Sequence, residues 1–196
     1  VILALFEHPD GVETQDGACV VYDLERGTAR LGAARVDGPA LVWRIAHEAD
    51  ELAARREPAR PLAPLSRGPE VQVEVELARA RDWLVRCDRV EFPPGGVAYR
   101  HVHPGPGIRR LLHGALTIDR GDGQPRTYRG GEAWFEGAEE PVLATASASE
   151  ETAFVRVLLL PAEWRGRRTI RYLDPADEER PKLQRATILL EEPLPR

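Results

Sequence analysis

The chain has 196 residues, 42% apolar and 30% charged, a composition that fits one folded core with extensions rather than a disordered chain. A formal charge of −5 and the lack of any basic stripe interleaved with aromatics argue against nucleic-acid binding. No apolar run approaches the roughly 20 residues of a membrane span, and Lys182 is the only lysine, so arginine carries nearly all the positive charge.

The opening "VILALF" is too short for a secretory apolar region and lacks a basic flank. A cytoplasmic location is expected, with export left open because the first residue is not methionine. Cys19 and Cys87 lie far apart with no metal or redox spacing and read as buried thiols. Residues 17–38 predict two strands around the turn Glu25-Arg26-Gly27. Behind Pro39, the spacing of Leu41, Ile45, Ala49 and Leu52 predicts a helix over 39–57, with "LVWRI" open to a strand reading. Residues 58–70 hold four prolines and no periodicity, which predicts an extended connector. His8 and His47 are expected at the surface.

Beyond residue 70 strands dominate. "VQVEVEL" alternates, and "WLVRCDRVEF", "IRRLLHGALTI", "RTYRGGEAWFEG", "PVLATAS" and "FVRVLLL" follow one another across Gly, Pro and Asp turns. Such a succession predicts an antiparallel sandwich or barrel. After Pro161 come "TIRYL", the solvated stretch "DPADEERPKLQ" and a last strand, "ATILLEE". No internal repeat is visible. In "RHVHPGPGIRRLLHG", residues 100–114, strand alternation points His101 and His103 to one side.

Residues 92–161 resemble the cupin family of jelly-roll β-barrels. The first cupin motif is matched through Pro94, Gly95, Gly96, His101, His103, Pro104, Gly105 and Gly114. The second is matched in "GGEAWFEGAEEPV", opened by Gly131 and Glu132. The resemblance implies an antiparallel jelly-roll barrel over about 70–161 within a single domain of 1–196. Around it would sit an N-terminal hairpin and helix extension (1–69) and a C-terminal strand extension (162–196). It also implies a homodimer.

Two family ligand positions are not filled. Gly107 stands where the family has a glutamate, and Val142 where it has its last histidine. Alternation offers substitutes: Arg109, Leu111 and His113 follow Gly107 on one face, and Trp134 pairs with Glu136. The expected cavity therefore holds His101, His103, Arg109, Glu136 and His113. A first reading is a metal-dependent enzyme of dioxygenase, isomerase or decarboxylase type acting on a small organic anion. His101, His103 and Glu136 would ligate Fe, Mn, Ni or Zn. Arg109 and Glu136 would be catalytic, and Arg109, His113 and Trp134 would contact substrate. A metal-free variant would use a histidine as general base with Arg109 stabilising the developing anion. The other reading is a non-catalytic cavity for a small polar ligand, with Arg109 and Glu136 also able to form a structural ion pair.

Overall fold

The structure is a computed structural model and describes residues 1–15, 17–46, 59–61, 68–78 and 80–195, with the backbone alone for 59–61. Among the described residues there is no α-helix, and therefore no helix long and apolar enough to cross a membrane. The first half contains β1 (Ile2–His8), β2 (Val12–Thr14), β3 (Cys19–Asp23), β4 (Thr28–Leu31), β5 (Ala34–Val36), β6 (Ala40–Ala46), β7 (Ala59–Pro61) and β8 (Val71–Glu74). The second half contains β9 (Trp83–Phe92), β10 (Val97–Val102), β11 (Gly107–His113), β12 (Ala115–Asp119), β13 (Arg126–Arg129), β14 (Ala133–Glu136), β15 (Val142–Ala146), β16 (Thr152–Pro161), β17 (Arg171–Tyr172) and β18 (Arg185–Pro193).

The second half is the jelly roll. Its two antiparallel sheets run β14-β11-β16-β9-β18 and β13-β12-β15-β10-β17. Between them lie Val90, Phe92, Leu111, Leu116, Trp134, Val142 and Phe154, all buried. Gly114 links β11 to β12 at φ 78, and a Cβ there would stand 2.5 Å from the Glu151 carbonyl oxygen, so only glycine fits this corner.

The first half also forms two sheets, β4-β3-β6-β1-β8 and β5-β2-β7. The predicted hairpin is present as β3 and β4. Asp23 accepts from the backbone N–H groups of Glu25 and Arg26, and Gly27 takes φ 65. The predicted helix is not: its first part is β6, and residues 47–57 lie outside the described residues. All of β6 is buried, because Leu41, Trp43 and Ile45 face the second half while Val42 faces the small sheet. Apolar residues on both faces of a strand imitate a helical stripe, and here tertiary packing decides.

The two large sheets meet face to face. Leu3, Leu5, Tyr22, Trp43 and Ile45 pack on Val85, Cys87, Ile108, Val155 and Val157 in one continuous apolar layer. The sheet β14-β11-β16-β9-β18 is therefore covered on both faces: by the first half on one side and by its own barrel partner on the other. This explains why β16 is buried along its whole length. Both cysteines are free and buried, as expected. His8 departs from its expected surface position. It lies at the end of β1, 1% exposed, and neither ring nitrogen has a partner among the described residues.

Candidate functional site

His101 and His103 reach the barrel interior from the end of β10, where His101 pairs with Val142 of β15 and Tyr172 of β17. A short hook fixes this segment: Glu139, at φ 58, donates its N–H to the His103 carbonyl at 2.8 Å. His101 Nδ1 lies 2.6 Å from the Tyr99 carbonyl oxygen and His103 Nδ1 lies 3.0 Å from that of Thr169. A carbonyl oxygen only accepts, so each Nδ1 carries its hydrogen and each Nε2 presents a lone pair. The two Nε2 atoms face each other at 3.2 Å. Burial lowers the pKa of both imidazoles, and the neighbouring Arg156 charge lowers His103 further, so both are neutral at pH 7.

Two ion pairs complete the polar end. Arg109 Nη2 lies 2.7 Å from Glu136 Oε2, an ion contact whose N–H is not aimed at the oxygen. Its Nη1 donates to the Gly107 carbonyl at 2.6 Å, and the Trp134 indole donates to Glu136 Oε1 at 2.8 Å. Burial would raise the Glu136 carboxyl, but Arg109 and the indole outweigh it and hold the group below its ordinary value. Burial lowers Arg109 to about 10, which leaves it charged. Arg156 donates to Asp88 Oδ2 from Nε at 3.1 Å and from Nη2 at 2.9 Å, and to Thr169 Oγ1 at 3.0 Å. Its Nη1 donates to His103 Nε2 at 3.4 Å. Trp134, Arg109, Arg156 and Asp88 stand opposite one another in register across β14, β11, β16 and β9. The two arginines and two carboxylates cancel in charge.

These groups close one end of a cavity of about 50 Å³, whose remaining wall is mainly apolar and includes Phe92, Phe154, Leu116 and Ile118. That volume holds a few waters or a molecule of a few heavy atoms, far below the several hundred cubic ångströms usual for a drug-sized ligand. Trp134 stacks on Tyr128 at 4.7 Å between centroids, so it serves as wall and as anchor for Glu136.

The structure thus brings together His101, His103, Arg109, Trp134 and Glu136, the set counted by alternation. His113 is not with them. β11 shifts register between Leu111 and His113, so that Leu112 is an extra residue and His113 turns outward, exposed, against the Glu151 carbonyl. Glycine at 107 is more than a missing ligand. A Cβ there would lie 2.3 Å from the Val157 oxygen, so no side chain fits in this backbone. Val142 lines the cavity as an apolar residue. Four participants escaped the sequence reading: Asp88, Arg156, Thr169 and Gln184. A charge within "FVRVLLL" and another within "WLVRCDRVEF" were the signals for Arg156 and Asp88. Thr169 and Gln184 carry none, because a loop has no periodicity to read.

For a metal, the fit is partial. Two imidazole nitrogens bound to one tetrahedral ion at about 2.0–2.1 Å sit about 3.3 Å apart, close to the 3.2 Å seen here. Glu136 Oε2 is 3.8 Å from His103 Nε2. Among the described residues no three His, Cys, Asp or Glu side chains form a complete ligand group.

No family model matches the sequence, and no curated protein matches it. Similar solved structures include the polyketide cyclase RemF from Streptomyces resistomycificus, at 21% identity over 49% of this chain and 63% of that one, TM-score 0.38. A cupin-2 domain protein from Shewanella frigidimarina is 20% identical over 37% of this chain and 68% of its own, TM-score 0.32. A cupin domain from Bordetella pertussis is 19% identical over 39% and 81%, TM-score 0.35. An oxalate oxidase in complex with glycolate is 21% identical over 41% and 47%, TM-score 0.34. These chains share strand architecture with less than half of the protein. With its two paired antiparallel sheets the C-terminal half has a jelly-roll fold, and the histidine pair at the end of β10 points into it.

Proposed function

We propose that the C-terminal barrel is a cupin-type enzyme site for a small organic anion, with a divalent transition metal held by His101 and His103. The observation that carries this reading is the pair of buried Nε2 lone pairs facing each other at 3.2 Å, with both Nδ1 hydrogens committed to carbonyls. With both Nδ1 hydrogens committed, neither Nε2 donates to the other, and a metal ion would take both lone pairs, displacing the Arg156 N–H from His103. Glu136 is the third candidate ligand, through the lone pairs that Trp134 and Arg109 leave free. When bound, Fe, Mn, Ni or Zn would supply Lewis acidity or, for the redox-active ions, electron transfer.

The protein's own residues do the rest. Asp88 and Thr169 fix Arg156 with Nη1 toward the histidines, and Trp134 and Arg109 fix Glu136. Because these charges cancel, an added cation leaves the cavity positive, and an anionic ligand restores the balance. Phe92, Phe154 and Trp134 exclude water and strengthen those electrostatics. The test is metal analysis of protein purified without chelator or nickel resin. About one equivalent is expected, lost in His101→Ala and in His103→Ala. If the protein takes up none of the four metals after incubation, the metal reading is wrong.

A second reading, a metal-free cavity for a small polar ligand, is favoured by one observation: both Glu136 oxygens already have cationic or N–H neighbours. The same measurement separates the two.

A further inference from the structure

The strand orders of the two halves are the same. Strand β1 pairs with β6 and β8 as β9 pairs with β16 and β18; β3 pairs with β4 and β6 as β11 pairs with β14 and β16. In the smaller sheets, β2 pairs with β5 and β7 as β10 pairs with β15 and β17. In chain order β1–β8 reproduce β9–β18, with only the hairpin β12–β13 missing. We infer that the N-terminal half is a reduced second copy of the barrel, fused in the chain so that it occupies the pairing face a second subunit would otherwise cover.

The contact has the reciprocity of a two-fold dimer. The terminal strand of each half adds to its own sheet and touches the far edge of the other: β18 contacts β4, and β8 contacts β14. Equivalent faces meet, β1, β3 and β6 supplying Leu3, Val20 and Trp43, and β9, β11 and β16 supplying Cys87, Ile108 and Val155. Without the β12–β13 hairpin, the small sheet of the N-terminal half has three strands among the described residues, too few to enclose a cavity like that of the C-terminal barrel. Its β2, the counterpart of the histidine strand, buries Val12 and Thr14 instead. This copy has kept the pairing face and lost the site.

The partner in cis also grips the strand that carries Arg109. Trp43 donates its indole N–H to the Ile108 carbonyl at 3.2 Å, and Arg110 reaches Glu7 at 2.7 Å and Glu70 at 3.0 Å. On this inference the protein is a monomer that contains its own dimer, an alternative to the homodimer expected from the sequence.

Two measurements on the full chain test this. Light scattering from micromolar to hundred-micromolar concentration is expected to give the monomer mass of 21.8 kDa throughout. A protease site inserted between residues 78 and 82, in the link from β8 to β9, then cut, is expected to leave both halves eluting together as a one-to-one complex with an unchanged circular dichroism spectrum. A stable dimer of the intact chain, or halves that part on cutting, would overturn the inference.

Discussion

At the scale of single residues, burial decides what each charge is worth. Glu136 and Arg109 were legible as cavity residues from alternation, with an ion pair between them as one of the roles open to them, and the contact they make changes the expected cost of substitution. In Glu136→Gln the indole of Trp134 keeps an acceptor, while Arg109 loses its counter-charge in a site where it is 1% exposed. Breaking one side of such a pair costs about 3 kcal/mol or more, which urea denaturation would read as a lower midpoint. The double variant Arg109→Met/Glu136→Leu should recover most of that loss. If Glu136→Gln is as stable as the parent, the ion pair carries no charge balance. His8 makes the complementary case. Burial, helped by Arg44, lowers its pKa to about 4. Between about pH 4 and pH 6.5 the unfolded chain binds this proton and the folded chain does not, so stability is full above pH 6.5 and falls toward pH 4. We expect a contribution on the order of 1–2 kcal/mol after allowing for solvent screening. The raised Glu70, at about 7, pulls the other way over much of the range. The informative quantity is therefore the stability difference between parent and His8→Phe at each pH. A difference that stays constant from pH 4 to 7 would refute the assignment.

Elements set which residues can meet, and here the sequence was readable where strands are regular. The period-2 pattern located β9 to β16 and the last strand, and it aimed His101, His103, Trp134 and Glu136 correctly. It failed where one extra residue intervenes. Leu112 bulges β11 and turns His113 to solvent, and no local composition marks that position. It failed again in the crossing segment around β17, whose inner side carries Thr169, Ile170 and Gln184. Thr169 joins this segment to the site twice, through its carbonyl to His103 and through its hydroxyl to Arg156. Replacing it with valine keeps the shape and the carbonyl but removes one of the two acceptors of Arg156 Nη2, leaving Asp88 Oδ2 as the other and one buried N–H unpaired. A buried charged donor left unpaired costs about 1–3 kcal/mol. Thr127→Val offers a control, because its hydroxyl bonds Thr117 at 2.8 Å on the exposed surface. We expect that change to stay within about 0.5 kcal/mol. Equal losses in the two variants would show that Thr169 is only a packing residue.

Across the whole molecule, the repeat was hidden because deletion and drift act on different signals. Removing the β12–β13 hairpin destroys any fixed spacing between the halves, and β2 and β5 are too short, at three residues each, to show alternation. The shared feature is a face of apolar residues, which many sequences can supply. That face also governs cooperativity. Among the described residues Leu3, Leu5, Trp43 and Ile45 have no other core to bury them, and Val85, Cys87 and Val157 would lose this cover without them. Neither half then has an independent unfolding transition. Trp43 is fully buried at the centre of this layer and holds the Ile108 carbonyl. Trp43→Ala should therefore destabilise by about 3–5 kcal/mol. It should also move the whole molecule, with far-ultraviolet circular dichroism and the fluorescence of the remaining tryptophans Trp83, Trp134 and Trp164 shifting together to one lower midpoint. Trp134 sits at the polar end of the cavity and reports on the distant barrel. A variant in which Trp134 emission keeps the parent's midpoint while part of the β signal melts early would mean that the C-terminal barrel stands by itself, with its outer face needing no cover.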